Sequence, residues 1–207
     1  MAEQYLETVK EAYTKGMEIL NDMAGWQKLN EVEGVVGFNR ENPDSPLKQF
    51  KVDFFIDKPP GITSRYLYDN YTELNTELAG STIEFFRLKE KIGENMQIHH
   101  VAIGPKGPVS GREGYSCCVY LELAEDTYAM VNVSIDCGGE IRPDYVESGL
   151  LVVTLFEPVV DDTNRCHLTA TINVDPKGSV PSTIVNLIQA QRTKFYAKLK
   201  AKLLEVL

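Results

Sequence analysis

Strand-like segments follow one another through residues 82–174 of the chain, and their connections are short. The connecting segments are rich in glycine, proline and aspartate, which favour turns. GPKGPVSG (104–111), CGGEIRPD (137–144) and EPVVDDTN (157–164) are too short for the crossover connection that parallel strands require. The sequence therefore predicts an antiparallel sheet. The strand candidates are residues 82–91, 95–102, 114–123, 127–136, 147–157 and 165–174.

Helical patterns lie at both ends of the chain. Apolar residues recur at intervals of three and four over residues 3–30 and again over 181–207, which predicts two amphipathic helices. Between them, 34–40 and 48–56 alternate as strands, and proline-initiated short helices are expected over 59–80. This order indicates an α+β protein. An antiparallel sheet of about nine strands tends to curl, so one long helix can cover its concave face and leave a core or a cavity beneath it.

Composition excludes several functional classes. The formal net charge of −9 opposes nucleic-acid binding, which needs cations against phosphates. No apolar run approaches the 18 residues of a membrane span. The N-terminal residues lack the basic-then-apolar pattern of a signal peptide, so a cytoplasmic location is expected. The four cysteines, which include the adjacent Cys117 and Cys118, are expected to be reduced thiols.

Four motifs occur in order along the chain. GVVGFNR (34–40) precedes KQFKVDFFIDKPP (48–60), and VSGREGY (109–115), IRPDYVESG (141–149) and VDPKGSVPSTIVN (174–186) follow. Together they resemble the START family of lipid-transfer domains. The resemblance implies a helix-grip fold, in which a curved antiparallel sheet grips the long C-terminal helix around a lipid-sized cavity. It also implies that residues 1–207 form one START-like domain, a soluble carrier that binds and exchanges a lipid.

The segment Asp175–Pro176–Lys177–Gly178 joins the last predicted strand to the C-terminal helix. Proline restricts φ and glycine accepts a positive φ, so these residues favour a tight turn. The helix is therefore expected to begin abruptly and to be aimed by this turn across the sheet, as a lid.

The cavity is expected to be lined by the apolar stripe of the lid and by alternate strand residues. Burial of an apolar ligand there contributes about 25 cal/mol per Å². The candidate ligand-binding residues are Phe54, His100, Cys118, Tyr120, Val131, Val133, Arg142, Ile172, Ile184, Leu187, Ile188 and Phe195.

Sterol-binding members of the resembled family carry an acid and an arginine facing the cavity. By spacing, the acid position falls on His100 or Val101, and the arginine position on Cys118 or Val119. None of these residues forms that ion pair, so little preference for cholesterol over phospholipid or fatty acyl ligands is expected. An inward His100 is a candidate hydrogen-bond partner for a lipid head group, or a satisfied core histidine.

Residues typical of catalysis or metal binding lack partners in the sequence. His99 and His100 leave a strand on opposite faces and cannot share one metal ion unaided, so neither a metal nor another cofactor is expected. Cys118 has no activating base nearby, and Ser116 lacks a nucleophile elbow. We therefore expect that the protein is not an enzyme. The alternatives are a helix-grip enzyme acting on an apolar small molecule and a ligand-sensing interaction module.

Basic residues of the C-terminal helix suggest the partners. These basic residues either form a solvated face of the helix or form a rim that draws the lid transiently to anionic membrane surfaces. The expected partners are thus a lipid (phospholipid, fatty acyl or sterol-like) and a membrane surface, with no nucleic acid, and the protein is expected to be a monomer. The basic residues are Arg192, Lys194, Lys198, Lys200 and Lys202.

Overall fold

A computed structural model describes residues 2–42, 45–80, 83–107, 109–178 and 180–207. The predicted order of helices and strands is confirmed, with two additional short strands. The helices are α1 (Ala2–Asn21), α2 (Pro60–Asp69), α3 (Tyr71–Ala79) and α4 (Ser182–Val206). The strands are β1 (Gln27–Val32), β2 (Val35–Asn42), β3 (Ser45–Ile56), β4 (Phe85–Ile92), β5 (Met96–Ile103), β6 (Gly111–Glu122), β7 (Tyr128–Ser134), β8 (Tyr145–Glu147), β9 (Gly149–Val159) and β10 (Asp162–Asp175).

One curved sheet contains all ten of these strands, in the order β1-β2-β3-β10-β9-β7-β6-β5-β4. The pairings along this path are antiparallel, as predicted. The three-residue β8 lies off the path and pairs with β6 in parallel. The fold is the α+β helix-grip arrangement expected from the sequence.

The predicted first helix, 3–30, is too long. Helix α1 ends at Asn21, and Gly25 follows with a φ of 74°. The indole Nε1 of Trp26 donates to the carbonyl of Asp22 at 2.9 Å and closes this turn. Strand β1 then pairs with β2 through Glu33 and Gly34, which have φ values of 51° and 72°. Two successive positive φ values are what a two-residue type I′ hairpin requires.

The two faces of the sheet carry different helices. Helix α1 packs on one face, where Tyr5 and Val9 join a core that includes Ile98 and Val131. The other three helices pack on the opposite face, where Leu203 of α4 joins a second core. Both faces are therefore buried over much of the sheet. None of the helices in the described part of the chain combines the length and apolarity needed to cross a bilayer.

Candidate functional site

A cavity of about 290 Å³ lies between α4 and the sheet face it covers. Phe195 and Leu199 of α4 line it from above, and Leu74 of α3 lines one side. Met130 and Val152 belong to the sheet side of the lining. Its lining is mostly apolar, and its volume lies just below the roughly 300–1,000 Å³ of ligand pockets.

Three of the predicted ligand-binding residues line this cavity: Cys118, Ile172 and Phe195. Two others belong to the same buried layer but pack against protein. Phe54 lies edge-on to Tyr196, with ring centroids 6.2 Å apart. Tyr120 packs its ring between Tyr68 and Tyr128, and its hydroxyl lies 3.3 Å from the Ser64 hydroxyl.

Val131 and Val133 were predicted on the wrong face of β7. Both belong to the core around α1, on the far side of the sheet from α4. Their neighbours Met130 and Asn132 line the cavity instead. Successive residues of a strand point to opposite faces, so a one-residue error in the inferred orientation moves every side chain away from the cavity.

The two histidines of β5 face opposite to the prediction, which placed His100 inward. His100 does not line the cavity: its Nε2 lies 2.7 Å from Glu113 Oε1, and its ring stacks on Tyr115 with centroids 4.3 Å apart. His99 is the buried one, packed against Tyr71 and Phe86. Neither ring nitrogen of His99 has a hydrogen-bond partner within the described part of the chain. Burial lowers the pKa of His99 to about 4, so it is neutral at pH 7.

Arg142 also lies outside the lining. Its Nε donates to Glu113 Oε2 at 2.7 Å, its Nη1 donates to Glu84 Oε1 at 2.8 Å, and its guanidinium packs over Tyr145. Burial raises the pKa of Glu113, but the hydrogen bonds from Arg142 and His100 outweigh it and hold that pKa below its ordinary value. Arg142 and His100 therefore form a polar network that braces the loop before β8.

The inward stripe of α4 differs from the predicted one. Ile184 and Ile188 are 38% and 41% exposed, so they do not belong to the cavity as predicted. The side chain of Leu187 lies outside the described residues. Arg192 and Tyr196 line the cavity one helical turn apart. Sequence reasoning missed Arg192 because it grouped this arginine with the solvated lysines of the same helix.

Hydrogen bonds attach α4 and the turn before it to the sheet. The guanidinium of Arg112 donates to the carbonyls of Pro176 and Lys177, at 2.7 and 2.9 Å, and so holds the turn before α4. In the helix itself, the Thr193 hydroxyl donates to Asn30 Oδ1 of β1 at 2.5 Å. Gly37 of β2 lies under Thr193, where a Cβ would clash with its hydroxyl.

The chemical groups in the cavity are suited to binding. Burial raises the pKa of the Cys118 thiol, which therefore stays protonated at pH 7 and is a poor nucleophile. Ser116 Oγ and Asn132 Oδ1 are buried without hydrogen-bond partners among the described residues. Asn132 Nδ2 donates to the Tyr71 hydroxyl at 3.0 Å. No group of three or more His, Cys, Asp or Glu side chains suited to a metal ion occurs in the described ranges.

The chain is similar in sequence to curated proteins that share one name. No family model matches the chain. It is 25% identical over 195 residues to the mitochondrial steroidogenic acute regulatory protein of Danio rerio, covering 90% of this chain and 66% of that protein. The Homo sapiens protein of the same name is 26% identical over 216 residues, covering 97% of this chain and 71% of the relative. The chain thus spans about two thirds of the length of these curated relatives.

Solved structures resemble the whole fold. Human StAR-related lipid transfer protein 5 superposes with a TM-score of 0.76 at 13% identity, covering 99% of this chain and 98% of that one. Human STARD10 superposes with a TM-score of 0.74 at 19% identity, covering 97% of this chain and 80% of that one.

Proposed function

Because this chain has the helix-grip fold of START domains and resembles them along almost its whole length, we propose that it holds one lipid under α4 and exchanges it with membranes. The observation that carries the proposal is the cavity of about 290 Å³, which is mostly apolar and is covered by α4. Arg112 of the sheet bonds to the turn that precedes this helix. Apolar ligand surface buried there gains about 25 cal/mol per Å².

Exchange requires the cavity to open. The protein docks transiently on a membrane, α4 or a neighbouring loop moves, the lipid passes, and the cavity closes again. An opening that costs a few kcal/mol populates the open state often enough for exchange. The contacts of Arg112 with Pro176 and Lys177 are where α4 meets the sheet at its N-terminal end, so they are suited to act as the hinge.

The ligand class follows from the lining. No Asp or Glu side chain occurs among the described residues that line the cavity, so the acid–arginine pair of sterol-binding members has no counterpart there. The steroid reference in the relatives' names therefore does not transfer directly. We keep the expectation that a phospholipid or fatty acyl ligand binds at least as well as cholesterol.

The remaining parts of the proposal concern the chain as a whole. We propose that residues 1–207 act as one domain, a monomeric carrier and not an enzyme. Helices α1 and α4 pack on the same sheet, which supports a single domain, and the raised pKa of the Cys118 thiol makes it a poor nucleophile. The free cysteines suit a reducing compartment such as the cytoplasm. The names of the relatives contain the word mitochondrial, so cell fractionation decides the compartment.

Lipid transfer between vesicles tests the function. Native mass spectrometry of the purified protein should show one bound lipid, and a fluorescent acyl lipid should move between vesicles faster with protein than without. Val152→Trp fills the cavity and should abolish transfer. Leu151→Trp, on the opposite face of the same strand, is the matched control. No bound lipid and no accelerated transfer by a folded protein would refute the carrier function.

A further inference from the structure

Arg192 is a cation inside a mostly apolar cavity. It lines the cavity one turn from Tyr196, and it forms neither a hydrogen bond nor an ion pair with any residue that the structure describes. Burial lowers the pKa of Arg192 to about 10, so the guanidinium is still protonated at pH 7. An arginine has five N–H donors and no acceptor, and the half-buried side chain of Arg192 meets no acceptor among the described residues. An anionic group of a bound ligand would supply the acceptors that these residues do not.

The charge balance of the cavity points to the sign of that group. Arg112 and Arg192 are the cationic residues of the described lining, and no carboxylate accompanies them. Arg112 is already satisfied, because it donates to the carbonyls of Ser110, Pro176 and Lys177. The whole chain, in contrast, has a net charge of −9. A lining with arginines and no carboxylate favours an anion over a cation.

We propose that Arg192 binds the anionic head group, a carboxylate or a phosphate, of the lipid that the cavity encloses. The inference rests on the proposed lipid-carrier function and narrows its ligand class. The planar guanidinium suits both anions because its N–H groups match two oxygens at once. Tyr196, one turn further along α4, places a phenol hydroxyl on the same cavity wall as a second donor.

The cavity volume favours a slender ligand. At about 290 Å³, the cavity is close to the lower limit of ordinary ligand pockets. One acyl chain fits this space better than the two chains and glycerol of a phospholipid. The probes are therefore single-chain molecules with the same tail: oleate, oleyl phosphate and the uncharged oleyl alcohol.

The experiment compares these probes on three forms of the full chain. They displace a fluorescent acyl probe from the wild type, from Arg192→Gln and from Lys198→Gln, at concentrations below micelle formation. Lys198→Gln is the matched control, because Lys198 is an exposed cation of the same helix. Arg192→Met is a second variant that removes the charge and keeps an unbranched side chain. Thermal unfolding of each ligand-free form checks folding.

We expect the wild type to bind oleate, oleyl phosphate or both at least tenfold more tightly than the alcohol. This ratio corresponds to a difference in binding free energy of about 1.4 kcal/mol. Arg192→Gln should lose that preference while its affinity for the alcohol is unchanged, and Lys198→Gln should behave as the wild type. Arg192→Met should not lower the melting temperature of the ligand-free protein, because Arg192 forms no hydrogen bond or ion pair with the described residues that the change could remove. The better of the two anions identifies carboxylate or phosphate as the head group.

Two results would overturn the assignment and are distinguishable. If the wild type binds the alcohol as tightly as both anions, or if Arg192→Gln keeps the preference, the assignment of Arg192 is wrong and the carrier function stands. If the folded wild type binds none of the probes and carries no lipid, the carrier function and the assignment both fail.

Discussion

The Nε of Arg112 on β6 donates a 2.7 Å hydrogen bond to the carbonyl oxygen of Pro176, in the turn that precedes α4. Two further donations, to the carbonyls of Lys177 and Ser110, complete the environment of this guanidinium. Arg112 is 9% exposed, so little water replaces these bonds if they are lost. One side chain thus joins a strand that lines the cavity to the turn before α4.

Arg112→Lys should loosen the lid. A lysine keeps the charge but cannot donate in two directions from a rigid plane. Loss of hydrogen bonds from a charged donor costs about 1.5–3 kcal/mol, so the unfolding free energy in urea should fall by this amount. Dissociation of a fluorescent lipid, followed by stopped flow, should accelerate. Arg165→Lys is the control, since Arg165 pairs at the surface with the exposed Asp57. Equal dissociation rates in the wild type and Arg112→Lys would show that the turn does not limit opening.

Gly178→Ala should destabilise the same turn. Gly178 has a φ of 65°, as the sequence predicted, and a left-handed backbone costs about 1–2 kcal/mol for a residue with a Cβ. An added Cβ would meet Arg112 only at an ordinary 3.7 Å, so the cost comes from the backbone. Lys177 has a φ of 42°, and Lys177→Gly should instead be neutral or stabilising. Gly104→Ala, where no positive φ occurs, is the control in the same denaturation assay. A tolerated Gly178→Ala would contradict the predicted strain.

Lys194→Glu together with Lys198→Glu should slow transfer from anionic vesicles. Both lysines are exposed on α4, and each basic residue near an anionic surface contributes about 1 kcal/mol. Lys202 is excluded from this set, because its ammonium pairs with Glu77 at 3.2 Å. Transfer should be several-fold slower at low salt and unchanged with neutral vesicles. Reversal of Lys10 and Lys15 on α1 gives the same net charge away from the lid. If both double variants slow transfer equally, α4 is not the docking face.

His99→Phe should make the protein more resistant to acid. The pKa of His99 is about 4 in the folded protein and about 6.5 in the unfolded chain, so the unfolded chain binds more protons between these pH values. Stability therefore falls as pH decreases from 6.5 to 4, by ~2 kcal/mol at pH 5 for this residue. Phenylalanine removes that loss and suits the neighbouring rings of Tyr71 and Phe86. Urea midpoints of the wild type and the variant at pH 7.5 and 5 measure the difference.

His167→Gln is the control of opposite sign. The hydrogen bond with Asp53 raises the pKa of His167, so its stabilising contribution is complete below the unfolded pKa and disappears as pH rises through the folded value. His167→Gln should therefore destabilise the protein more at pH 5 than at pH 8. If His99→Phe loses as much stability on acidification as the wild type, His99 is not a buried neutral histidine.

Local signals in the sequence determined the sheet and the turn before the lid. Short links between alternating segments permit antiparallel pairing and exclude the crossover connections of parallel strands. The turn at Asp-Pro-Lys-Gly, with its positive φ at Gly178, depends on φ preferences that act within a few residues. The hairpin at Glu33 and Gly34 was missed because the apolar periodicity of the preceding helix was extended too far.

Only the tertiary structure decided which side chains line the cavity. Alternation identifies an inner face when one side of a sheet is wet, but here α1 covers one face and α4 the other, so Val131 and Met130 are both apolar and buried. On α4, a charge pattern predicts solvent exposure, yet Arg192 lines the cavity. Its position follows from the rotation of α4 on the sheet, where Thr193 is bonded to Asn30 of β1. That rotation depends on contacts between residues far apart in the chain, which no local pattern encodes.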